Sequence, residues 1–387
     1  MIKKFLKIFA LCAVCTTLPL GFSACGGDDD EPPTSGPAVP DDGDDDGDDD
    51  DDDDTPGTAP DNPALTPSDF AKGADVSWIT RVESEGHKFY DADGNEAEAM
   101  RLLRDECGVN SIRLRVWVNP TERWNGKSDV IEKAVRAHEL GMRLMIDFHF
   151  SDDWADPGKQ RVPAAWEGKN PEQMAAAVSD HVTDILSALR LKGITPEWVQ
   201  IGNETTNGML WESGRVAGTR TGEFVRYLNA GYDAVKEIFP RAKVIVHLDN
   251  GFDQGLYKWF FDLMQAAGAK YDMIGMSLYP EKESTDGGQW SVATDMAKVN
   301  TCMANIRAVN SRYGKPVVIC EIGFHYTNGK GAATAISTIM NAFKGDNRLQ
   351  GIFYWEPAIP QGYTGYNKGA FVDGRPTEAL SPFTSEN

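Results

Sequence analysis

The chain has 387 residues, 41% of them hydrophobic, which is enough apolar material for a large folded core. Its formal net charge of −21 is mostly local, because 16 acidic residues lie in 28–54 and three lysines lie in the first 27 residues. The rest of the chain, from Thr55 onward, carries a charge of only −8. A run or patch of basic residues is the usual signature of nucleic-acid binding, and this sequence has none. We therefore expect no nucleic-acid partner.

Residues 1–24 have the pattern of a bacterial lipoprotein signal peptide. Three lysines precede the apolar stretch Ile8–Leu20, which is too short to cross a bilayer as a helix. The small residues before Cys25 resemble a lipobox, which implies cleavage at that point and lipidation of the Cys25 sulfur. The acidic residues that follow resemble surface-export signals, so we expect a secreted lipoprotein of the outer membrane, exposed at the cell surface. A plain secretory peptide cut near Ala24 is the alternative.

Residues 25–64 have the composition of a disordered tether. From Glu31 to Pro63 the chain is rich in Asp, Gly, Pro, Ser and Thr, and it cannot bury enough apolar surface to offset the entropy of ordering. Repulsion between the aspartates favours an extended chain. The aspartate runs lack the spacing of an EF-hand calcium loop. We therefore predict one folded domain, residues 65–387, held away from a membrane.

Short apolar stretches alternate in this domain with amphipathic stretches of helical length. The predicted strands are Ala74–Ile79, Val109–Val118, Met142–His149, Trp198–Gly202, Lys243–Leu248, Met273–Leu278, Pro316–Ile322 and Gly351–Trp355. The predicted helices are Ala97–Cys107, Lys127–Leu140, Pro171–Leu191, Gly222–Phe239, Gly255–Ala267, Ser291–Tyr313 and Ala332–Phe343. Eight strands alternating with helices predict an α/β fold, a single (β/α)8 or TIM barrel. A doubly wound open sheet competes, but no GxGxxG follows the first strand.

Only three cysteines, Cys107, Cys302 and Cys320, belong to the predicted domain. An odd number gives no complete disulfide framework, and no Cys/His spacing typical of zinc occurs. Cys320 lies inside a predicted strand, so we expect it to be a buried structural thiol. We expect no metal and no cofactor.

Two glutamates end predicted strands on opposite sides of the barrel, Glu204 on the fourth and Glu321 on the seventh. The carboxyl ends of the strands form the active site in this fold. A pair of facing carboxylates suits glycoside hydrolysis, and in retaining enzymes the two lie about 5–5.5 Å apart. Other polar or aromatic residues near the strand ends are candidates for sugar binding: Asp75, Arg115, Trp117, His149, Trp154, Asn203, Asp249, Tyr279 and Trp355.

Roles and structural alternatives follow from the chemistry of these side chains. Asn203 can donate to a sugar 2-hydroxyl, and Arg115 could keep a nucleophilic carboxylate ionised. The tryptophans can stack on a pyranose ring, although core packing is the usual fate of tryptophan. His149 could equally be a core histidine with its hydrogen bonds satisfied.

Six motifs between Gly73 and Pro357 resemble glycoside hydrolase family 53, the endo-β-1,4-galactanases, within the clan of retaining (β/α)8 glycosidases: GADVSW (73–78), RVWVNP (115–120), DFHFSDDWADPGKQ (147–160), VQIGNETTNGMLW (199–211), HLDNG (247–251) and YWEPA (354–358). The resemblance implies Glu204 as acid/base and Glu321 as nucleophile. Around the cleaved sugar it implies Asn203, Arg115, His149, Asp75, Tyr279 and Trp355, with weaker support for Trp117, Trp154, Asp156, Trp211 and Asp249.

The implied substrate is β-1,4-galactan or type I arabinogalactan, cleaved by a monomer. Some members bind calcium through a longer loop after strand seven, but residues 323–330 are short and contain no acid, so we expect no such site. A β-mannanase or cellulase of the same clan is the nearest alternative. A non-catalytic glycan-binding surface lipoprotein is a second, although it has no need of both glutamates. A purely structural envelope lipoprotein is a third, but it would not need so many aromatic residues at the strand ends.

Overall fold

Eight parallel strands close into a barrel in which each strand pairs with the next along the chain and the last pairs with the first. This computed structural model describes residues 69–286 and 288–385. The predicted signal peptide, Cys25 and the tether lie outside the described residues. The barrel strands, β1 to β8, are Ala71–Asp75, Ser111–Val116, Arg143–Phe148, Trp198–Ile201, Lys243–Leu248, Met273–Leu278, Val317–Ile322 and Leu349–Trp355. The predicted (β/α)8 barrel is therefore confirmed.

Helices surround the barrel. The α-helices α1 to α8 are Ile79–Ser84, Ala99–Asp105, Lys127–Glu139, Pro171–Leu191, Phe224–Ile238, Gln254–Ala266, Met296–Tyr313 and Gly329–Ala342. Asn170 begins α4 with a capping box, in which its side chain accepts from the backbone N–H of Gln173 and the Gln173 side chain accepts in return. After β8, a 3₁₀ segment at Glu378–Thr384 packs against α8 in place of an eighth long helix.

The largest errors in the predicted boundaries concern two elements. The first strand ends at Asp75, because the chain turns at residues 76–78 into the short helix α1. The predicted helix Ser291–Tyr313 begins only at Met296. Residues 289–294 instead pair with 281–286 in an antiparallel hairpin, because Trp290, Val292 and Thr294 are residue types that favour strands.

The floor of the barrel is a dry apolar cluster separate from the layer between strands and helices. It consists of Ala71, Met145, Trp198, Ile245, Met273, Val318, Cys320 and Phe353, all at most 1% exposed. The rings of Trp198 and Phe353 meet edge to face at 5.8 Å. Because this cluster fills the interior, the buried charged network that includes Arg113 and Glu321 lies nearer the carboxyl end of the barrel.

The three cysteines of the described domain are buried free thiols, which confirms the prediction for Cys320. Burial raises the pKa of Cys107 and Cys302 to about 12, so they remain protonated. Within residues 69–286 and 288–385, no helix is both long enough and apolar enough to cross a membrane.

The close approach of β1 to β8 makes Gly73 a sensitive position. A Cβ added there would lie 2.1 Å from the Phe353 ring. We expect Gly73→Ala to lower the free energy of unfolding by about 1–3 kcal/mol through overpacking, measured by urea denaturation. As a control, Gly255→Ala in α6 meets only the Asp253 side chain, at 3.3 Å, and should be neutral or stabilising. Equal stability of the two variants would contradict this view of the barrel floor.

Candidate active site

Glu321, near the end of β7, has both carboxylate oxygens held by the protein. Its Oε1 lies 3.0 Å from Nη1 of Arg113, and its Oε2 accepts a hydrogen bond of 2.8 Å from the Tyr279 hydroxyl. The side chain is nearly buried, at 6% exposed, yet it reaches the cleft at the top of the barrel. Two partners aligned on a carboxylate fix its orientation and favour its charged form.

Arg113, in β2, is the centre of the charged network. Its guanidinium also contacts Asp75 and Asp147, each at 2.8 Å, and donates to the side-chain oxygens of Asn203 at 2.9 Å and Gln200 at 3.3 Å. Each of its nitrogens is therefore engaged. Asp75 and Asp147 are completely buried, so they do not contact a substrate and act by holding neighbouring side chains, among them Arg113.

Arg115 does not perform the role predicted for it. The structure places Arg113, not Arg115, beside Glu321, because Arg115 stands two residues nearer the carboxyl end of β2 and pairs there with Glu356 at 2.8 Å. Arg115 is 1% exposed, and its guanidinium carbon lies 4.2 Å from the Trp154 ring centre and 4.9 Å from that of Trp78. Arg115 therefore supports the aromatic wall from behind and does not line the cleft.

Glu204 follows β4 and faces Glu321 across the cleft. Its backbone is left-handed, with φ of 44°, a conformation that costs energy and is typical of functional sites. Its Oε1 accepts a 2.6 Å hydrogen bond from the Ser277 hydroxyl. Ser277 in turn lies 2.8 Å from Nε2 of His247, and Nδ1 of His247 lies 2.8 Å from the Gln200 amide nitrogen.

These contacts fix the direction of the hydrogen bonds. Two donors, the Gln200 amide at 2.8 Å and the Glu204 backbone N–H at 3.4 Å, point at Nδ1 of His247, against one acceptor, Asn203 Oδ1, at 3.1 Å. The tautomer with its proton on Nε2 satisfies both donors, and its Nε2 then donates to the Ser277 oxygen. That oxygen is then free to donate its own hydrogen to Glu204. Burial, together with the charge of Arg113, lowers the pKa of His247 well below its usual value, so it stays neutral. A neutral relay thus orients the Glu204 carboxyl.

The two glutamates have different electrostatic surroundings. Burial raises the pKa of Glu204 well above its usual value, and the charge of Glu321 raises it further. Burial also raises the pKa of Glu321, but Arg113 and the Tyr279 hydroxyl oppose this effect. When the pair shares one proton, the proton therefore resides on Glu204. This is the division of charge that an acid and a nucleophile require.

Asn203 and His149 are held rigidly. The Asn203 side-chain nitrogen donates to the Ala155 carbonyl at 2.8 Å, which leaves one N–H for a substrate hydroxyl. His149 is 2% exposed, with Nε2 against Asp147 at 3.0 Å and Nδ1 accepting from the Ala155 backbone N–H at 3.2 Å. Both nitrogens of His149 are occupied, so it borders the cleft as a satisfied histidine.

An aromatic wall closes one side of a cleft of about 490 Å³ that holds both glutamates. Trp154 packs at 5.4 Å from Trp117 and 5.9 Å from Trp355, and Trp355 packs at 4.6 Å from Tyr366. The predicted residues that line this cleft are Trp117, His149, Trp154, Asp156, Asn203, Glu204, Tyr279, Glu321 and Trp355. Flat apolar walls with a few fixed polar groups are typical of sugar-binding sites.

The other predicted site residues lie elsewhere. Asp249 lines an adjoining hollow of about 280 Å³ that shares Glu204 and Tyr279 with the cleft. Trp211 is covered by Arg215, whose guanidinium carbon lies 3.7 Å from the ring centre. No cluster of three or more His, Cys, Asp or Glu side chains within residues 69–286 and 288–385 is arranged to hold a metal ion.

The sequence placed Trp78, Ser277 and His247 at the ends of predicted strands but gave them no role in the site, and it did not indicate Tyr366 at all. Ser277 and His247 are each the last residue but one of a predicted strand. Because side chains alternate between the two faces of a strand, the sequence pattern could have shown that both point into the barrel. Tyr366 lies in irregular chain after β8, where no periodic pattern indicates direction.

The family model for glycosyl hydrolase family 53 matches residues 71–386. The chain belongs to glycoside hydrolase family 53. It is 31% identical over 326 residues to an endo-β-1,4-galactanase of Bacillus subtilis strain 168, covering 76% of this chain and 71% of that protein. It is 32% identical over 303 residues to an arabinogalactan endo-β-1,4-galactanase of Thermothelomyces thermophilus, covering 74% of this chain and 89% of that one.

Solved structures agree with this family 53 assignment. A structure from a study of two fungal β-1,4-galactanases superposes with a TM-score of 0.71 at 27% identity, covering 81% of this chain and 98% of that chain. The resemblance to family 53 that the six motifs indicated is therefore confirmed.

The two arginines of β2 can be separated by pH dependence. We expect Arg113→Lys to lower kcat/KM by about a hundredfold. A lysine ammonium cannot bind three carboxylates in the fixed directions of a guanidinium, so the pKa of Glu321 should rise. The acidic limb of the pH profile of kcat/KM should therefore move to higher pH. Arg115→Lys is the matched control and should leave that limb in place. If the acidic limb moved only in Arg115→Lys, then Arg115 and not Arg113 would be the residue that keeps Glu321 ionised.

The pH dependence of kcat/KM also tests whether the Ser277 hydroxyl acts on Glu204. Its hydrogen bond lowers the pKa of Glu204, against the raising effects of burial, Glu321 and Asp249. We expect Ser277→Ala to move the alkaline limb of kcat/KM to higher pH and to reduce kcat/KM at the optimum about tenfold. Ser277→Thr keeps the hydroxyl and should retain the wild-type limb. An unshifted limb in Ser277→Ala would mean that the relay does not act on Glu204.

Proposed function

We propose that this chain is a retaining endo-β-1,4-galactanase that cleaves galactan and type I arabinogalactan. The observation that carries the proposal is the pair of facing carboxylates, one paired with Arg113 and Tyr279 and the other held by Ser277. The substrate class is supported by the family 53 match and by the galactanases to which the chain is similar.

The proposed reaction proceeds in two displacements. The ionised Glu321 attacks the anomeric carbon, while Glu204 gives its proton to the glycosidic oxygen, and the C–O bond to the leaving oligosaccharide breaks. Glu204, now a carboxylate, takes a proton from water, which attacks the glycosyl–Glu321 ester. The sugar leaves with its original anomeric configuration, and both glutamates return to their starting states. The remaining N–H of Asn203 is positioned to bind the 2-hydroxyl of the reacting sugar.

Product analysis on linear β-1,4-galactan, with β-mannan and β-glucan as controls, tests the proposal. We expect short galacto-oligosaccharides from galactan alone, with the β-anomer formed first by NMR. Glu321→Ala should abolish turnover and keep oligosaccharide binding, because it removes the nucleophile and leaves the aromatic wall. Products from mannan or glucan but not from galactan would contradict the proposed substrate. Binding of these polysaccharides without cleavage would favour the non-catalytic glycan-binding alternative.

We further propose that the chain is a monomeric outer-membrane lipoprotein, exposed at the cell surface and anchored through Cys25. Both catalytic carboxylates and the aromatic wall come from one chain, so the proposed activity needs no residue of a second subunit. The lysines before Ile8–Leu20 and the small residues before Cys25 support the anchor.

We expect Cys25→Ser to move the protein from the membrane fraction to the soluble fraction and to abolish incorporation of labelled palmitate. Cys15→Ser, within the same leader, is the matched control and should do neither. Cys25→Ser protein that remains in the membrane fraction and carries label would contradict the anchor.

A further inference from the structure

A hairpin rises from the active-site face of the barrel between β6 and α7. Its strands, Glu281–Asp286 and Gln289–Thr294, are antiparallel, and its base is fastened to the loop after β7. The Glu281 carboxylate accepts from the backbone N–H of His325 at 2.9 Å and from the side chain of Asn328 at 3.0 Å. Asn328 also donates to the hydroxyl of Thr294 at 3.1 Å. These bonds give the hairpin a defined position beside the β7 loop.

Trp290, on this hairpin, keeps a large aromatic surface in water. Within residues 69–286 and 288–385, it and Leu191 are the large hydrophobic residues that are exposed, and Trp290 is 45% exposed. Its ring centre lies 4.8 Å from that of His325, which lies 4.5 Å from that of Tyr326. Three neighbouring rings thus form an aromatic patch, here defined as Trp290, His325 and Tyr326.

His325 also offers a hydrogen-bond donor at this patch. Its Nδ1 accepts from the backbone N–H of Thr327 at 3.3 Å and lies 2.8 Å from the Thr327 hydroxyl. Burial lowers the pKa of His325, so the ring is neutral and carries its proton on Nε2. Thr285 stands directly opposite Trp290 in the hairpin and adds a hydroxyl on the same face.

The patch continues the rim of the catalytic cleft. The hairpin begins two residues after Tyr279, and His325 lies four residues after Glu321, so both elements leave strands that carry the site. The Tyr326 backbone N–H donates to the Asn367 carbonyl at 2.9 Å, next to the cleft residue Tyr366. The patch therefore lies at the same end of the barrel as the catalytic cleft, next to loops that carry cleft residues.

We propose that Trp290 and His325 form an additional subsite that binds a galactosyl unit of the polysaccharide outside the cleft. The axial 4-oxygen of a β-galactosyl unit leaves one face of the ring with the hydrogens of carbons 3, 4 and 5, and this apolar face stacks on an indole. Nε2 of His325 and the Thr285 hydroxyl then form hydrogen bonds with hydroxyl groups at the edge of the sugar ring. This inference rests on the proposed galactanase function and adds where the polymer is held.

Comparison of long and short substrates tests the subsite. We expect Trp290→Ala to raise KM for polymeric galactan about three- to tenfold, because one stacked sugar is lost. Its kcat, and its kcat/KM on the shortest galacto-oligosaccharide that the wild type cleaves, should be unchanged. In native gels containing galactan, the variant should migrate faster than the wild type, and Trp290→Phe should recover part of the retardation. Leu191→Ala, on α4, is the matched control for removal of an exposed hydrophobic residue and should behave as the wild type.

Equal KM on polymer and equal gel retardation for Trp290→Ala and the wild type would overturn the subsite while leaving the galactanase function intact. An equal loss on short and long substrates would also overturn it, since that result assigns Trp290 to the shape of the cleft. A wild-type protein that does not cleave galactan would remove both the proposed function and this inference.

Discussion

The active site depends on how one buried arginine distributes its charge. Arg113 is 1% exposed and engages Glu321, Asp75 and Asp147, so three carboxylates share one guanidinium in a poorly solvated interior. Buried charges are tolerated only when they are paired and hydrogen-bonded. The planar fork of arginine meets this need with several donors in fixed directions. The position of the nucleophile, the orientation of Asn203 and the hydrogen bond of His149 to Asp147 all follow from this arrangement.

The division of roles between the glutamates follows from their partners. Glu321 is bound by a cation and a phenol, whereas Glu204 receives one neutral hydroxyl from Ser277 and faces the charge of Glu321. Burial acts on both, so the difference between them comes from these partners. Because His247 is neutral, the Ser277 relay orients Glu204 without adding a positive charge that would favour its ionisation.

The apolar floor and the aromatic wall keep this chemistry at one end of the barrel. Phe353 and Trp198 fill the interior below Arg113, and Trp154 and Trp355 border the cleft above it. Arg115 and Glu356 pair behind the wall, and burial raises the pKa of Glu356 to about 8 despite that contact. The Arg115 guanidinium stacks on the tryptophans from behind and so fixes their positions without contacting the sugar.

The barrel, most of its strands and the two glutamates were predictable from the amino-acid sequence. Buried parallel strands are recognisable as short apolar runs, and their carboxyl ends necessarily converge on one face. The pattern of Arg113, Arg115 and Trp117 showed that these side chains point the same way, but not how far into the barrel each one reaches. The pairing of Arg113 with Glu321 and of Arg115 with Glu356 became visible only in the folded chain, because each partner is distant in sequence. The same reason applies to the Ser277–His247 relay and to the position of the hairpin that carries Trp290. Both are stabilised by contacts between elements that are distant in sequence, and a local sequence pattern does not show such contacts.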